Sequence, residues 1–269
     1  MIRVRRGKAP RQLAAIRQRE LKRIRALLRR TPRAAIPLGK TYRVAARSLW
    51  RSQKMKCCYC ELIEQLDQND VEHFRPKSRA VRGPGFPDTP GYFWLSWTWK
   101  NLLFACGPCN RQHKGTRFPL APGSKPLKPW RQPPGREQPL LLDPAKDDPL
   151  QHLRFEPYRE RGKQYWRPNP RNGSARGFKT IQVLGLDRQG LIDLYRKHVD
   201  EEVRPKVDKL RKLMRSARSD PKRVRLAWRE LTLELLATGR PFTALSYDAL
   251  DYLVPSSERQ SWGLRLRAP

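Results

Sequence analysis

Five cysteines fall into two short groups, and four of them have the spacing of metal ligands. Cys57 and Cys60 form one CxxC pair, and Cys106 and Cys109 form another. Two residues between thiolates let a tight turn aim both sulfurs at one tetrahedral ion, so two such pairs predict a four-cysteine zinc site. The alternatives are four buried cysteines without metal and a redox-active pair, and the paired spacing argues against both. Cys58 is expected to be spare, because adjacent residues rarely both bind one ion.

The predicted zinc is structural, because sulfur fills its coordination shell and leaves no position for water. Catalysis must then come from other residues, and the 45 residues between the two pairs contain candidates. In VEHFRPKS an acid, Glu72, precedes His73. A neutral imidazole titrates at about pH 6.5 and can accept a proton from water at neutral pH. Taken singly, His73 is more often a structural histidine, and Asn101 and Asn110 are ordinary cap or turn residues.

These residues need a scaffold that brings them together, and the local patterns predict one. NDVEH and WKNLLFAC have strand character, and CNRQHKG begins a short helix after the second cysteine pair. Between the strands, RGPGFPDTPG is rich in turn residues and is typical of an insertion loop. The aromatic run from Tyr92 to Trp99 is expected in the core rather than as a base-stacking surface. The predicted order is strand, long loop, strand and helix, held together by zinc.

This order resembles the HNH, or ββα-metal, nuclease family over roughly residues 57 to 120. The matching elements are CxxC, EHFRPK, WKNL and CGPCNRQHKG, in the family's order. The resemblance implies a metal-dependent endonuclease that hydrolyses phosphodiester bonds of nucleic acid, with double-stranded DNA as the expected substrate. The implied fold class is α+β, with a small ββα-metal nuclease core stapled by the four-cysteine zinc site and embedded in a mostly helical scaffold.

The resemblance also assigns roles to individual residues. His73 takes the place of the general base, and Asn101 takes that of the asparagine that ties down the loop and orients the base. Glu72 would supply a ligand to a single divalent ion, where the family usually has Asp or His. Asn110 matches the last metal ligand, with His113 as the alternative, because CNRQHKG is one residue longer before its lysine than the common form CNxxKG. Hard oxygen ligands suggest Mg²⁺ or Mn²⁺ as the catalytic ion.

The charge of the chain points to a polyanionic partner. The formal net charge is +33 over 269 residues. Like charges in such excess repel one another unless a bound polyanion neutralises them, so nucleic acid is the expected partner. No apolar run approaches the roughly 18 residues of a spanning helix, which argues against a membrane partner. The N-terminus is Arg-rich without a hydrophobic signal core, which argues against secretion; composition alone does not exclude a mitochondrial transit peptide. The implied phosphate contacts are Arg75, Lys77 and Lys114.

A narrower resemblance extends over about residues 50 to 200. It rests on CxYCE, EHFRPKS, WKNL, CxxCN, FPL, LLDPAKDDPLQHLRF and TIQVLGLDRQGL. These stretches are similar to a bacterial HNH family found with retron and Septu-type anti-phage defence systems, where the nuclease works beside a partner ATPase. The similarity implies a cytoplasmic bacterial protein, a helical C-terminal half that docks onto the ATPase, and nuclease activity held back until infection.

Composition divides the chain into three parts. Residues 1–50 carry sixteen lysines and arginines and one acid, Glu20, and predict a mobile basic arm followed by an amphipathic helix from about 11 to 30. The outer face of that helix is either exposed to solvent without a partner or contacts the phosphates of nucleic acid. Residues 51–130 form the expected HNH domain with its zinc knuckles. Residues 131–269 form a proline-rich strap, a hairpin of 153–157 with 164–167, and a helical C-terminal region.

Local signals place the helices of the C-terminal region. IQVLGLD ends one helix, and Asp187 could cap the next. A long helix then runs through Leu213, and Pro205 could kink it. Asp220 and Pro221 predict the N-cap and first residue of a further helix, and FTALSYDALDYL predicts the last one.

Two other hypotheses share the zinc site and the basic surface. One is a non-catalytic zinc-containing nucleic-acid-binding protein. The other is an interaction subunit whose activity requires its ATPase. The set of His73, Asn101 and Asn110 favours the nuclease, because a pure binder has no need of a base beside an acid.

Overall fold

In the computed structural model, which describes residues 1–84, 86, 89–216 and 220–269, the basic N-terminal segment forms α1 (Arg11–Arg30). Leu13, Leu21 and Ile24 are buried along one side of it. Apolar residues spaced three and four apart lie on one face of a helix, and burying that face stabilises the helix against the rest of the chain. The helix predicted from about 11 to 30 is confirmed.

The residues before α1 are packed against the rest of the chain. Met1, Ile2 and Val4 are buried. The guanidinium of Arg6 lies 3.0 Å from the carboxylate of Asp143. The expectation of a mobile basic arm is therefore wrong, because the apolar residues between the arginines bury enough surface to offset the entropy of ordering the segment.

The segment that follows α1 leads to the first cysteine pair. A 3-10 turn (Thr41–Ala45) continues directly into α2 (Ala46–Ser52). Ala45 and Leu49 are fully buried and fix this segment against the core.

Four short strands follow, β1 (Asp70–His73), β2 (Arg79–Ala80), β3 (Thr89–Pro90) and β4 (Leu102–Ala105). β1 pairs antiparallel with β4, and β2 pairs antiparallel with β3. In the first pair His73 lies opposite Leu102. The strands predicted from NDVEH and WKNLLFAC are confirmed. The predicted loop RGPGFPDTPG falls partly on residues 85, 87 and 88, which lie outside the described residues.

The helix after the second cysteine pair is a π-helix, Pro108–Lys114. The N–H of Gly115 donates to the carbonyl of Asn110 at 2.6 Å, a bond that spans five residues instead of four. A π-helical turn accommodates one additional residue, and CNRQHKG has one residue more before its lysine than CNxxKG. The predicted short helix is confirmed, and its π geometry accounts for the longer motif.

The predicted hairpin is present and longer than expected. β5 (Leu153–Glu160) pairs with β6 (Lys163–Pro170), and each strand has 8 residues. Arg161 and Gly162 form the turn with φ values of 48° and 75°. Positive φ at both central residues is the backbone of a two-residue turn whose twist matches the flanking strands.

Six α-helices follow in the described part of the chain, and these are α3 (Ala175–Leu184), α4 (Gln189–His198), α5 (Arg204–Ser216), α6 (Pro221–Leu235), α7 (Thr243–Leu253) and α8 (Ser256–Ser261). The side chain of Asp220 accepts hydrogen bonds at the start of α6, as predicted. Because α8 follows α7, FTALSYDALDYL is not the last helix. Among the described residues the chain thus combines helices with three two-stranded sheets, which agrees with a mixed helix-and-strand class.

One of the two remaining helix signals behaves differently from the expectation. Asp187 does not cap α4, because the helix begins at Gln189 and the N-cap position is Arg188, which lacks a side-chain capping bond. The long helical run changes from α-helical to π-helical geometry just before Pro205, the predicted site of a kink. A π-helix, Val199–Val203, joins α4 to α5 and places Pro205 in the first turn of α5, where a missing N–H costs little.

The aromatic run between β3 and β4 lies in the core. Tyr92, Trp94 and Trp97 are all buried. Their burial confirms the expectation that these rings pack inside the molecule and do not present a stacking surface. Within the described ranges, no helix has the combination of length and apolar character needed to cross a membrane.

Candidate active site and metal centre

The four cysteines of the two CxxC pairs meet at one buried point. Their ligand atoms all lie within 4.8 Å of one another. The Sγ atoms of Cys60 and Cys106 are 3.7 Å apart. Sulfurs at two corners of a tetrahedron with Zn–S bonds of about 2.3 Å are about 3.8 Å apart, so the spacing fits a tetrahedral zinc. The cluster could therefore hold a metal ion such as zinc.

Backbone hydrogen bonds hold the two pairs against the strands. The N–H of Cys58 donates to the carbonyl of Phe104 in β4 at 3.0 Å. The N–H of Tyr59 points at the Sγ of Cys57 at 3.5 Å, as in a turn that presents its amides to a thiolate. The first knuckle is thus fixed to the strand that leads into the second. Cys58 lies outside the four-sulfur cluster, and burial, reinforced by Cys57, raises its thiol pKa well above the ordinary value. Cys58 is the spare cysteine, as expected.

Arg188 is a neighbour of the metal cluster that the sequence analysis missed. Both terminal nitrogens of its guanidinium lie 3.7 Å from the Sγ of Cys109. The same side chain donates to the carbonyl of Gly185 at 2.8 Å. Four thiolates around a divalent ion carry net negative charge, so a guanidinium at this distance stabilises the charged site. The sequence signal for this contact is the motif LGLDR at the end of α3.

His73 ends β1 and has a defined tautomer. Its Nε2 lies 3.0 Å from the carbonyl oxygen of Ser96. A carbonyl only accepts, so Nε2 carries the proton and Nδ1 keeps its lone pair. Burial, with the nearby charge of Lys77, lowers the pKa of His73 to about 3, so the ring is neutral at pH 7. A neutral imidazole with a free Nδ1 can accept a proton.

A pocket of about 400 Å³ opens beside His73. Carboxylate and amide side chains line part of it, and these are Asp70, Glu72 and Asn110. Basic side chains line another part, and these are Lys40, Arg43, Lys77 and Arg111. The pocket thus combines a neutral histidine and hard-oxygen donors with a surrounding of positive charge.

Glu72 is held by two hydrogen-bond donors. Lys114 Nζ lies 2.6 Å from its Oε1, and the hydroxyl of Tyr59 donates to the same oxygen at 3.1 Å. Burial raises the pKa of Glu72, although Lys114 acts in the opposite direction. Both members of the Glu72–Lys114 pair are buried. Lys114 also donates to the carbonyl of His73 at 3.0 Å, so it holds β1 in place and is not open to a phosphate.

Asn110 lies across the same pocket. Its Nδ2 donates to Oδ2 of Asp70 at 3.1 Å. Asp70 also pairs with Arg111, whose Nε lies 3.1 Å away. Asp70 was not singled out from the sequence, although its position two residues before Glu72 places both acids on one face of β1. Carboxylate and amide oxygens of this kind suit Mg²⁺ or Mn²⁺ with waters that complete the shell.

The oxygens available to a catalytic ion can be narrowed further. Oε1 of Glu72 is already used by two donors, while Oε2 makes no hydrogen bond to a side chain in the described part of the chain. The Nδ2 of Asn110 is used by Asp70, which leaves its Oδ1 as the possible ligand atom. The candidate ligand atoms for a divalent ion are therefore Oε2 of Glu72 and Oδ1 of Asn110, neither of which bonds to a side chain among the described residues.

His113 faces away from this pocket. Its ring packs on Gly185 at the end of α3, where a Cβ would lie 2.2 Å from the His113 Nδ1. His113 is not among the residues that line the pocket. The structure therefore favours Asn110 over His113 as a ligand in the pocket, and their roles stay predictions.

The remaining predicted residues divide between the pocket and the interior. Asn101 is buried, and its amide contacts the backbone of Arg75. The side chain of Arg75 is buried too, and its Nε lies 2.7 Å from Oε2 of Glu137. Of the three predicted phosphate contacts, only Lys77 lies at the pocket beside His73, whereas Arg75 and Lys114 are engaged in buried salt bridges.

Comparisons with known proteins give one informative similarity. No protein-family model and no solved structure matches the chain. The chain is 39% identical over 141 residues to the Septu protein PtuB of Bacillus mycoides (strain KBAB4). The match covers 51% of this chain and 45% of that protein, so the chain spans about half the length of the curated relative it matches. Identity at this level over this length shows that the chain is related to a Septu protein.

Proposed function

We propose that the chain is a metal-dependent endonuclease of the HNH type that hydrolyses phosphodiester bonds in nucleic acid, with double-stranded DNA as its substrate. The observation that carries the proposal is the state of His73. It lies at the pocket with Nε2 bonded to a carbonyl, which leaves Nδ1 without a hydrogen-bond partner in the described part of the chain and able to accept a proton. The order of strand, strand and helix around it supports the same assignment.

In this proposal each residue of the pocket has a separate role in the hydrolysis. His73 Nδ1 accepts the proton of the attacking water, and the Ser96 carbonyl fixes the ring. Glu72 and Asn110 would hold Mg²⁺ or Mn²⁺, an ion that stabilises negative charge on the phosphate and the leaving oxygen when bound. Asn101 fixes the backbone that follows His73, and Lys77 lies at the pocket to contact a phosphate.

The four-cysteine cluster has a separate, structural role. Its four ligand positions are all occupied by protein sulfur, so a zinc ion there has no open position for water. The ion would join the turn before β1 to the turn after β4, which are the two ends of the catalytic unit. Zinc in this proposal positions the active site and takes no part in the reaction.

The relationship to a Septu protein supports a role in anti-phage defence. We place the chain in the bacterial cytoplasm as the nuclease of such a system, with a partner ATPase that docks on the helical C-terminal region. The match covers less than half of the relative, so the partner and the biological role belong to the proposal.

One observation favours the second candidate, a zinc-containing nucleic-acid-binding protein without catalysis. Lys114 already neutralises Glu72 in a buried pair, which reduces the attraction of that carboxylate for a divalent ion. If that pair does not open, the pocket binds phosphates but lacks the metal.

A plasmid-nicking assay distinguishes the two. Purified protein is incubated with supercoiled plasmid and Mg²⁺ or Mn²⁺, with and without EDTA, beside His73→Ala. Metal-dependent nicking that is lost in His73→Ala is the expected result. Equal cutting by the variant would remove His73 from the role of base. No cutting by either protein, together with tight and salt-sensitive DNA binding, would favour the binding protein, and repeating the assay with the partner ATPase would decide whether the nuclease awaits it.

A further inference from the structure

One wall of the pocket beside His73 is built by a segment that precedes the cysteines. The 3-10 turn Thr41–Ala45 and the residue before it contribute Lys40, Tyr42 and Arg43 to the lining. This segment lies outside residues 57 to 120, where the nuclease motifs are found, so no motif assigns it a role.

The turn is held rigidly against the core. Trp97 Nε1 donates to Oγ1 of Thr41 at 2.8 Å. Ala45 and Leu49 are fully buried on the other side of the turn. A segment whose backbone is already fixed can place side chains at the pocket without the entropy cost of ordering that backbone when a ligand binds.

Tyr42 links the turn to the candidate base. Its ring meets the ring of His73 edge-on, with centroids 4.6 Å apart and planes at 84°. Lys77 Nζ lies 5.0 Å from the centroid of the same ring. An edge-on contact restricts how far the His73 ring can tilt, and a cation over an aromatic face restricts the lysine. Tyr42 therefore orients both the base and the nearest predicted phosphate contact.

The positive charges on this wall lack acidic partners. Lys40 and Arg43 are exposed, and neither has a salt-bridge partner among the residues that the structure describes. The two acids of the pocket are already paired, Asp70 with Arg111 and Glu72 with Lys114. The charge that remains uncompensated at the pocket is therefore positive, and it suits a ligand with several negative charges.

We infer that Lys40 and Arg43 bind the nucleic-acid phosphates next to the scissile bond and that Tyr42 is a positioning residue for His73. The inference rests on the proposed function and extends the active site to a segment without nuclease motifs. According to this inference, the 3-10 turn Thr41–Ala45 forms the far wall of the groove that holds the nucleic-acid strand to be cut.

Binding to a short DNA duplex tests the two cations. Lys40→Gln/Arg43→Gln is compared with Lys222→Gln/Arg223→Gln, which removes the same charge from exposed positions on α6, all in the His73→Ala background. Each lost phosphate contact lowers the slope of log K against log salt by about 1, so the pocket double variant should lose about 2. The control should retain the wild-type slope. Equal slopes for the two double variants would overturn the inference.

Cleavage rates test the positioning role. Tyr42→Leu should lower kcat with little change in KM, whereas Tyr42→Phe, which keeps the ring, should restore it. Thermal unfolding of both variants checks that the fold is intact, and equal losses of kcat in the two would contradict the role. If the wild type cuts DNA and the pocket variants bind and cut it normally, this inference is wrong and the proposed nuclease activity is unaffected. If the wild type fails to cut under every condition, the proposed nuclease activity is wrong. The slopes of log K against log salt then still decide whether Lys40 and Arg43 bind DNA.

Discussion

The side chain of Asn101 holds both backbone polar groups of Arg75. Its Oδ1 accepts from the Arg75 N–H at 2.8 Å, and its Nδ2 donates to the Arg75 carbonyl at 3.0 Å. The backbone of Asn101 also accepts from the Phe74 N–H at 3.0 Å. The chain immediately after His73 is therefore tied to the residue that precedes the neighbouring strand β4, and the direction of the histidine depends on this clamp.

The Asn101→Asp variant tests the hydrogen bonds between Asn101 and Arg75 with little change to the rest of the fold. The carboxylate keeps an acceptor for the Arg75 N–H but loses the donor and repels the Arg75 carbonyl. We expect a loss of about 1–3 kcal/mol in the free energy of unfolding, because a buried carbonyl is left unsatisfied. We also expect a fall of about 100-fold in cleavage rate, the scale of a small misplacement of a reacting group. Chemical denaturation and plasmid nicking measure the two effects.

The matched control for that variant is Asn172→Asp. Asn172 is exposed, lies at φ 49° and is remote from the pocket, and Asp tolerates this backbone conformation about as well as Asn. Normal activity in Asn172→Asp and in Asn101→Asp alike would mean that the clamp does not position His73.

The four-cysteine cluster predicts different effects for substitutions at two adjacent cysteines. Cys57→Ser removes one of four ligands from the cluster, whereas Cys58→Ala changes a buried thiol outside it. We expect Cys57→Ser to lose its zinc and its cooperative unfolding transition, because zinc binding at such a site is part of the free energy of folding. Cys58→Ala should retain one zinc per chain by elemental analysis. A folded, zinc-free and inactive Cys57→Ser protein would contradict a structural role for the ion.

Arg188→Gln should weaken the same centre without removing a ligand. The variant loses the positive charge that lies 3.7 Å from Cys109 Sγ. Loss of a group that supports a ligand typically costs about 10–100-fold in metal affinity, and competition with a chromogenic chelator would measure it. Arg188→Lys keeps the positive charge but loses the planar guanidinium, so its zinc affinity should lie between those of the wild type and Arg188→Gln. Unchanged zinc affinity in Arg188→Gln would show that the contact serves only the end of α3.

Much of the local structure follows from sequence periodicity and cap chemistry. The 3–4 spacing of α1, the apolar runs that form β1 and β4, and the Asp220 cap of α6 can all be recognised from short stretches of sequence. The four-cysteine cluster is the exception, because it joins distant segments, and the CxxC spacing predicted it through the fixed demands of tetrahedral coordination.

The interactions that the sequence did not reveal are between distant residues with ordinary side chains. Glu137 pairs with Arg75 across 62 positions, and this contact occupies a predicted phosphate ligand. Tyr42 reaches His73 from a segment with no motif. The burial of Met1 was hidden by the surrounding arginines, whose charge suggested a free arm. Such contacts depend on tertiary packing, and single-residue propensities carry little information on it.

Gly185→Ala tests the packing of the π-helix against α3. Gly185 ends α3 at φ 56°, and an added Cβ would lie 2.2 Å from Nδ1 of His113. The backbone conformation alone costs about 1–2 kcal/mol for a residue with a Cβ, and displacement of the His113 ring adds to it. We expect a lower midpoint of thermal unfolding, partly restored by His113→Ala. Gly190→Ala, in an open position on α4, is the control and should be neutral or stabilising.

His198 predicts a dependence of stability on pH that is separate from the active site. Its Nε2 lies 2.8 Å from Oγ of Ser246, and burial lowers its pKa from 6.5 to about 4. Between these two values the unfolded chain binds more protons than the folded chain, so stability rises with pH and is lost as the pH falls. From pH 7.5 to pH 5 this group alone should remove about 2 kcal/mol from the free energy of unfolding.

The matched variant for that measurement is His198→Gln, which can keep a hydrogen bond to Ser246 but does not titrate. Absolute stabilities are not a clean readout, because burial raises the pKa of Asp248 to about 6, and that carboxyl favours folding as the pH falls. The difference between the wild type and His198→Gln cancels this opposing contribution. Between pH 7.5 and pH 5 the wild type should therefore lose about 2 kcal/mol more of its free energy of unfolding than His198→Gln does, and equal changes in the two proteins would show that folding does not lower the pKa of His198.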